Sequence, residues 1–361
     1  MHDLWSWLAG AAWPLWLSHG VDWREGAFHE SLDLESRHCP VPFRRLRVAA
    51  RQVYSFSLAQ RHGLPRADEA VELGLRFLRR HAARPDGGYA WRFSLDNQVI
   101  DDRRDLYDHA FVLLALSTAA TVQPGTELRD AALALDDFIE HHLTHAEGGY
   151  LESLPPDLPR RQNPHMHLLE ARLAAAASFG DQRFLDAAGR LVALFRTRLF
   201  QPGSGTLAEF FTDDLRPMDD PHPAEPGHAC EWIWLLDQHA RLAGVQAAPE
   251  EAAALQRFVD GWGRDPGTGA LFDVVGSDGT IRSAGARLWP QAERLKSAAL
   301  RRHNRPDDFA EAGRVLHGYL RPDGLWHERR LPDGSFSGEP APASSLYHLS
   351  CAITEVRDRC G

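Results

Sequence analysis

The chain has 361 residues, enough to bury a large core, and its 43% hydrophobic and 25% charged composition excludes a disordered or fibrous protein. Fifty acidic against 40 basic residues leave a formal charge of −10, which argues against nucleic acid or an anionic membrane as partner and favours a small neutral ligand. Of the basic residues one, Lys296, is lysine and the rest are arginine, so Schiff-base chemistry is confined to a single position. The four cysteines, Cys39, Cys230, Cys351 and Cys360, form no CxxC pair, which argues for reduced thiols over a disulfide framework or a thiolate zinc site.

The chain opens on an apolar, Trp-rich stretch from Leu4 to Leu17 that carries Asp3 where a secretory leader has basic residues, and it reads as a docked outer helix. No later apolar run approaches the roughly 18 residues of a membrane span, and a cytoplasmic protein is expected. Val41 to His62 forms a first apolar helix. From there a repeat takes over, marked by glycine-rich turns at Gly88, Gly149, Gly205, Gly269 and Gly324, spaced by 61, 56, 64 and 55 residues. Apolar helical runs start near Leu106, His165, Gly227, Leu288 and Ser344. More charged amphipathic helices precede the turns: Ala67 to Ala82, Glu127 to Leu143, Gln182 to Leu199, Glu250 to Trp262 and Asp307 to Leu320. His141, His142 and His145 fall on one of these among Asp136, Asp137 and Glu140, and read as a solvated face more than as a metal cluster. The proline-bearing stretches Leu154 to Pro164 and Pro217 to Pro226 read as ordered loops, so no linker divides residues 1–361. Six inner and six outer helices close most simply into an all-α (α/α)6 barrel, or toroid, with short β-hairpins in the loops at one end.

Equivalent positions on helices around one ring converge on one cavity, and about twenty residues beyond each turn a polar or aromatic residue interrupts the apolar pattern. These are His109, His167, His228, Trp289 and His348. A lone histidine is more often a hydrogen-bonded core residue, but recurrence in four repeats favours a shared pocket. Glu231 follows His228 by three residues and Glu293 follows Trp289 by four, so each helix face joins a ring to a carboxylate, a combination suited to the CH faces and hydroxyls of a sugar. Arg51, within an apolar helix, is either paired structurally or aimed at an anionic group. His165 and His167 lie two residues apart, about 200° around a helix, which disfavours joint ligation of one metal.

Five ordered segments then carry a resemblance: Arg47 to Ser57 (RVAARQVYSFS), Asn163 to Ala171 (NPHMHLLEA), Pro226 to Leu236 (PGHACEWIWLL), Leu288 to Ala298 (LWPQAERLKSA) and Ser344 to Ala352 (SSLYHLSCA). Together they resemble the N-acylglucosamine 2-epimerase family, which includes mannose isomerases and cellobiose 2-epimerases. The resemblance implies the same toroid, proton transfer next to a sugar carbonyl, and no cofactor or metal. It implies His348 and His228 as the acid/base pair, Arg51 near the sugar oxygens, Glu231 supporting His228, and His167, Trp289 and Glu293 completing the pocket, with His109 as lining only. Leu346 and Tyr347 stand where disaccharide epimerases place a further aromatic platform, which disfavours cellobiose, and the single lysine disfavours a sugar phosphate although arginines can substitute. The expected function is a sugar isomerase interconverting a free aldose and its ketose through a cis-enediolate, with D-mannose/D-fructose first and D-lyxose/D-xylulose as a further pair. Aldose 2-epimerisation, glycoside hydrolysis by Glu231 and Glu293, and non-catalytic sugar binding are the alternatives. The partner is a monosaccharide, and homodimer formation is left open.

Overall fold

Helices that are apolar all round must be covered on every side, whereas helices with one apolar stripe face water. The structure, a computed structural model, describes residues 2–123, 125–246 and 248–360 and sorts its helices in this way. In chain order they are α1 (2–20), α2 (Leu46–Arg61), α3 (67–82), α4 (Leu106–Ala119), α5 (126–143), α6 (Gln162–Phe179), α7 (182–199), α8 (Pro226–Ala243), α9 (249–263), α10 (Leu288–Leu300), α11 (Pro306–His317) and α12 (Ala343–Cys360). The even-numbered helices are the buried set. In α4 every residue from Asp108 to Ala119 is buried, while α3 buries Ala70, Val71 and Phe77 and exposes Glu69, Glu72 and Arg76.

Helix α2 packs on α4, α4 on α6, α6 on α8, α8 on α10, α10 on α12, and α12 returns to α2. Each of α3, α5, α7, α9 and α11 covers the buried helix before it, and α1 covers α12. Two of the buried helices start away from the expected places, α2 at Leu46 and α6 at Gln162. Pro164 is therefore inside the first turn of α6, where its missing N–H costs nothing.

Short antiparallel ladders fix the depth of each buried helix. The two residues before it pair with the strand that follows the next glycine-rich turn: Arg44–Arg45 with Arg92–Phe93, Arg104–Asp105 with Ser153–Leu154, and Arg160–Arg161 with Phe210–Phe211. The pattern continues through Ala286–Arg287 and Ala341–Pro342, the latter pairing with Ser31–Leu32 near the start of the chain, and at α8 through Pro223–Ala224, which Glu225 separates from the helix. All six helix N-termini are thus stitched to one end of the molecule. The turns need glycine: at Gly149 φ is +67°, and a Cβ there would lie 2.7 Å from His165 Nε2.

Candidate active site

Counted from the first residue of each buried helix, one register unites the interior. The sixth residues are Arg51, Phe111, His167, Glu231, Glu293 and His348, and the ninth are Tyr54, Leu114, Glu170, Trp234, Lys296 and Cys351. Positions three to four apart share a helix face, so these form successive layers below the stitched end. A cavity of about 260 Å³ opens there. Arg51, His167, Glu231 and His348 line it from the sixth layer, with Tyr107, Asn163, His228 and Trp289 nearer the mouth. A second cavity, of about 420 Å³, is lined by Leu58, Leu114, Leu173 and Trp234 towards the other helix ends, and none of the three cavity histidines borders it.

Each of those histidines has its Nδ1 held by a carboxylate. His348 Nδ1 is 2.7 Å from Glu293 Oε1, His228 Nδ1 is 2.9 Å from Glu209 Oε2, and His167 Nδ1 is 3.0 Å from Glu170 Oε2. A carboxylate at Nδ1 fixes the tautomer that carries its proton there and leaves Nε2 for the cavity. The Trp289 ring stands between the two outer members, 4.9 Å from the His228 ring and 5.5 Å from that of His348.

The environments push these imidazoles apart. Burial, reinforced by Arg51, His167 and Lys296, drives His348 well below the usual histidine range and keeps it neutral. At His228 burial works the same way but is overcome by the carboxylates of Glu209 and Glu225, which lift it to about 9. Burial lowers His167 to about 4 against the pull of Glu170. One neutral imidazole and one imidazolium in a single cavity is the pairing expected of a base and an acid working together.

Glu231 is fully buried, borders the cavity, and has both carboxylate oxygens without a hydrogen-bond partner. Burial and the nearby carboxylates of Glu293 and Glu170 push it well above the ordinary carboxylate range, so it presents a protonated or ligand-seeking group to the cavity. Arg51 donates from Nη2 to Tyr107 Oη at 2.6 Å and lies 4.0 Å over the Phe111 ring. By contrast Arg47 is held by Asp108, Arg161 by Glu152, and Arg287 by Asp273 and Glu225. The Arg51 charge is directed at the cavity.

Of the residues expected from sequence, His348, His228, Arg51, Glu231, His167 and Trp289 meet in this cavity. Two do not line it. Glu293 sits behind His348, its other oxygen 2.7 Å from Lys296 Nζ. His109 is fully buried elsewhere: its Nδ1 is 2.6 Å from the Asp105 carbonyl and its Nε2 accepts the Tyr89 N–H at 3.0 Å. It is a fourth-position residue, and its counterparts His165 and Gln291 bind the backbone of Tyr150 and Leu271 in the same manner. The carboxylate bonded to His228 is Glu209, and Glu231, expected to support His228, reaches it through its charge alone. Glu231 Oε1 instead lies 3.8 Å from His167 Nδ1. Of the face expected to be solvated, His141 and His142 are exposed, whereas His145 is largely covered, with its Nε2 3.1 Å from Asp213 Oδ1, and Asp136 is buried.

Glu209, Glu225, Tyr107 and Asn163 were missed. Glu209 had a signal: Glu30, Glu152, Glu209, Asp273 and Glu328 each follow a turn glycine by four residues, at Gly26, Gly148, Gly205, Gly269 and Gly324. Glu30, Glu152 and Asp273 use the position to bind the arginine that precedes a buried helix.

Among the described residues, three groups bring ligand-type atoms within 4.8 Å of one another: His167, Glu170 and Glu231; Glu209, Glu225 and His228; and Glu231, Glu293 and His348. Most of their donors are engaged. Glu170 accepts from Tyr347 Oη, Glu209 from Gln162 Nε2 at 3.0 Å, and Glu293 is shared between Lys296 and His348. The donor sets suit proton handling better than an oxygen-rich cation cage.

The comparisons with known proteins place this ring of helices, with its polar cavity of carboxylate-backed imidazoles, in the isomerase class. The chain belongs to the N-acylglucosamine 2-epimerase (GlcNAc 2-epimerase) family, whose sequence model matches residues 26–352. It is 37% identical over 374 residues to a protein of Rhizobium meliloti (strain 1021) named mannose-6-phosphate isomerase, covering 99% of this chain and 96% of that one. It is 29% identical to the D-mannose isomerase of Thermobifida fusca, covering 95% and 93%. The fold matches a crystal structure of D-mannose isomerase with a TM-score of 0.91 at 21% identity, covering 99% and 98% of the two chains. It matches the cellobiose 2-epimerase of Spirochaeta thermophila DSM 6192 with a TM-score of 0.88 at 24% identity, covering 99% and 96%.

Proposed function

We propose that the protein is a single-domain (α/α)6 toroid that interconverts a free aldose and its ketose, D-mannose and D-fructose, in the cytoplasm. The observation that carries this reading is two carboxylate-backed imidazoles, His348 and His228, each in ring contact with Trp289 in one small cavity, with burial favouring the neutral form of the first and two carboxylates the protonated form of the second. About 260 Å³ lies below the roughly 300 Å³ at which drug-sized pockets begin, and fits a monosaccharide better than a disaccharide.

In this reading the sugar lies against Trp289, and His228 gives its Nε2 proton to the ring oxygen and takes up the proton of the anomeric hydroxyl as the ring opens, exposing the C1 aldehyde. His348 Nε2 then removes the C2 proton, and the electron pair moves through C1–C2 onto the carbonyl oxygen beside Arg51, forming a cis-enediolate. The His348 imidazolium returns that proton to C1 while the proton of the C2 hydroxyl passes to the C1 oxygen, so that C2 becomes the carbonyl, C1 becomes CH2OH and the ketose results. Delivery to the opposite face of C2 would make the epimer instead.

The name of the Rhizobium relative raises a phosphorylated substrate. Lys296 is spent on Glu293, and Arg47, Arg161 and Arg287 are each held by a carboxylate, while Glu225 and Glu328 stand at the mouth, which favours an uncharged sugar. A hydrolase reading fares worse: Glu293 does not border the cavity, so Glu231 and Glu293 cannot flank a glycosidic bond. Incubation with D-mannose and with D-mannose 6-phosphate, assaying ketose and C2 epimer separately, tests the proposal. Fructose from free mannose is expected, glucose would establish the epimerase, and turnover of the phosphate alone would overturn the substrate assignment.

A further inference from the structure

The one lysine of a chain otherwise rich in arginine is fully buried in the ninth-position layer, directly beneath the site. Its Nζ lies 2.7 Å from Glu293 Oε2, and the other oxygen of that carboxylate lies 2.7 Å from His348 Nδ1. The ammonium also stands 4.0 Å over the Trp234 ring and 3.5 Å from Cys351 Sγ, a niche closed by flat and small groups. A compact ammonium fits there, whereas a guanidinium is a wide planar fork. Resting on the base role proposed for His348, we propose that Lys296 is a positioning residue: it holds Glu293 as a carboxylate and so keeps the His348 proton on Nδ1 and its Nε2 bare in the cavity.

The surrounding charges make the lysine necessary. Lys296 is faced by Glu293, Glu231, Glu170 and Cys351, and His348 by Arg51, His167, Glu170 and Lys296, with His228 beyond Trp289. Glu170 already has His167 and Tyr347, and of the acids around the ammonium it is Glu293 that stands in ion-pair contact with it, at 2.7 Å. Glu293 is therefore the carboxylate that the ammonium grips. Without that charge, three buried acids would crowd one floor and Glu293 would take up a proton. A protonated Glu293 can donate to His348 Nδ1, which moves the imidazole proton to Nε2 and abolishes the base. A counter-ion that served folding alone would leave the tautomer unchanged.

The test is nitrogen-15 NMR of the histidine side chains in the ligand-free protein, with the His348 signals assigned by their loss in His348→Asn. In the wild type the proton is expected on Nδ1 and Nε2 is expected bare from pH 6 to pH 8; the reverse tautomer overturns the proposal without any variant having to fold. In Lys296→Met, or in Lys296→Gln if the first does not fold, the Nε2–H form is expected to appear. With it kcat is expected to fall about 10- to 100-fold, KM to stay within about threefold, and the acid limb of kcat to move to higher pH. In a Glu293→Gln background, whose amide oxygen still accepts from Nδ1, removing the lysine is expected to cost less than about threefold more. An unchanged tautomer, an unmoved acid limb or full additivity of the two substitutions would each refute the role. A wild type with the expected tautomer but no C2-proton exchange on any aldose would instead remove the base role of His348 and leave the lysine–glutamate pair standing.

Discussion

His165 and His167 sit two residues apart on α6 and show how one side chain serves two ends in this fold. His165 has both nitrogens tied to backbone, Nδ1 to the Arg161 carbonyl and Nε2 to the Tyr150 N–H, and it fastens a glycine-rich turn to the helix start. His167 has only its Nδ1 tied, by a carboxylate, and its ring borders the cavity. The same division holds between His109 and the pair His228 and His348. An imidazole with both nitrogens satisfied by fixed backbone is an anchor, and one with a carboxylate behind it is a poised acid or base.

Substitutions can break this distinction, and the largest effect belongs to the base. His348→Ala should lower kcat about 10³- to 10⁴-fold with the thermal midpoint nearly unchanged, as measured by ketose formation and calorimetry. Glu209→Gln should cost about 10²-fold, because His228 then loses the charge that keeps it protonated. In the wild type the alkaline limb of kcat should fall near pH 9, where His228 gives up its proton, and in the variant that limb should move towards neutrality. Across the divide, His109→Ala should leave the activity per folded molecule intact and destabilise the fold by about 2–3 kcal/mol, measured by denaturant unfolding, because the Tyr89 N–H and Asp105 carbonyl lose their partner. The smallest effect should come from His109→Gln, below about 1 kcal/mol, since Gln291 already does the same work with an amide.

The anchors also leave a signature in pH. Burial holds His109 and His165 at about 4 in the folded protein, against about 6.5 for an unfolded histidine. Between these values the unfolded chain binds the extra protons, so stability is complete above pH 6.5 and is lost as pH falls towards 4. His109→Gln should make that acid slope shallower, read from unfolding midpoints across the window.

The paired helices were legible because their apolar and amphipathic runs alternate between glycine-rich turns. Register was harder. Counting from the turn glycines placed His109, His167, His228 and Trp289 at one level, yet they occupy the fourth, sixth, third and second positions of their helices. The loops from turn to helix differ in length because each carries its own ladders or hairpin, such as Arg92–Asp101 and Val274–Ser283, so distance along the chain does not measure depth. Counting from the observed helix starts brings Arg51, His167, Glu231, Glu293 and His348 onto one level and separates His109 from them, but the starts of α2 and α6 themselves lie away from the places expected from sequence. Glu225 stands immediately before α8, three residues ahead of His228, and its charge reaches His228 across the first turn of that helix.

The central claim is that His348 moves a proton at C2 of a sugar, and D-mannose deuterated at C2 tests it most directly. The wild type should convert it with a primary isotope effect on kcat/KM and place the deuterium on C1 of fructose or in solvent, both lost in His348→Asn. Fructose formed without an isotope effect, or with the deuterium handled equally well by the variant, would contradict the account.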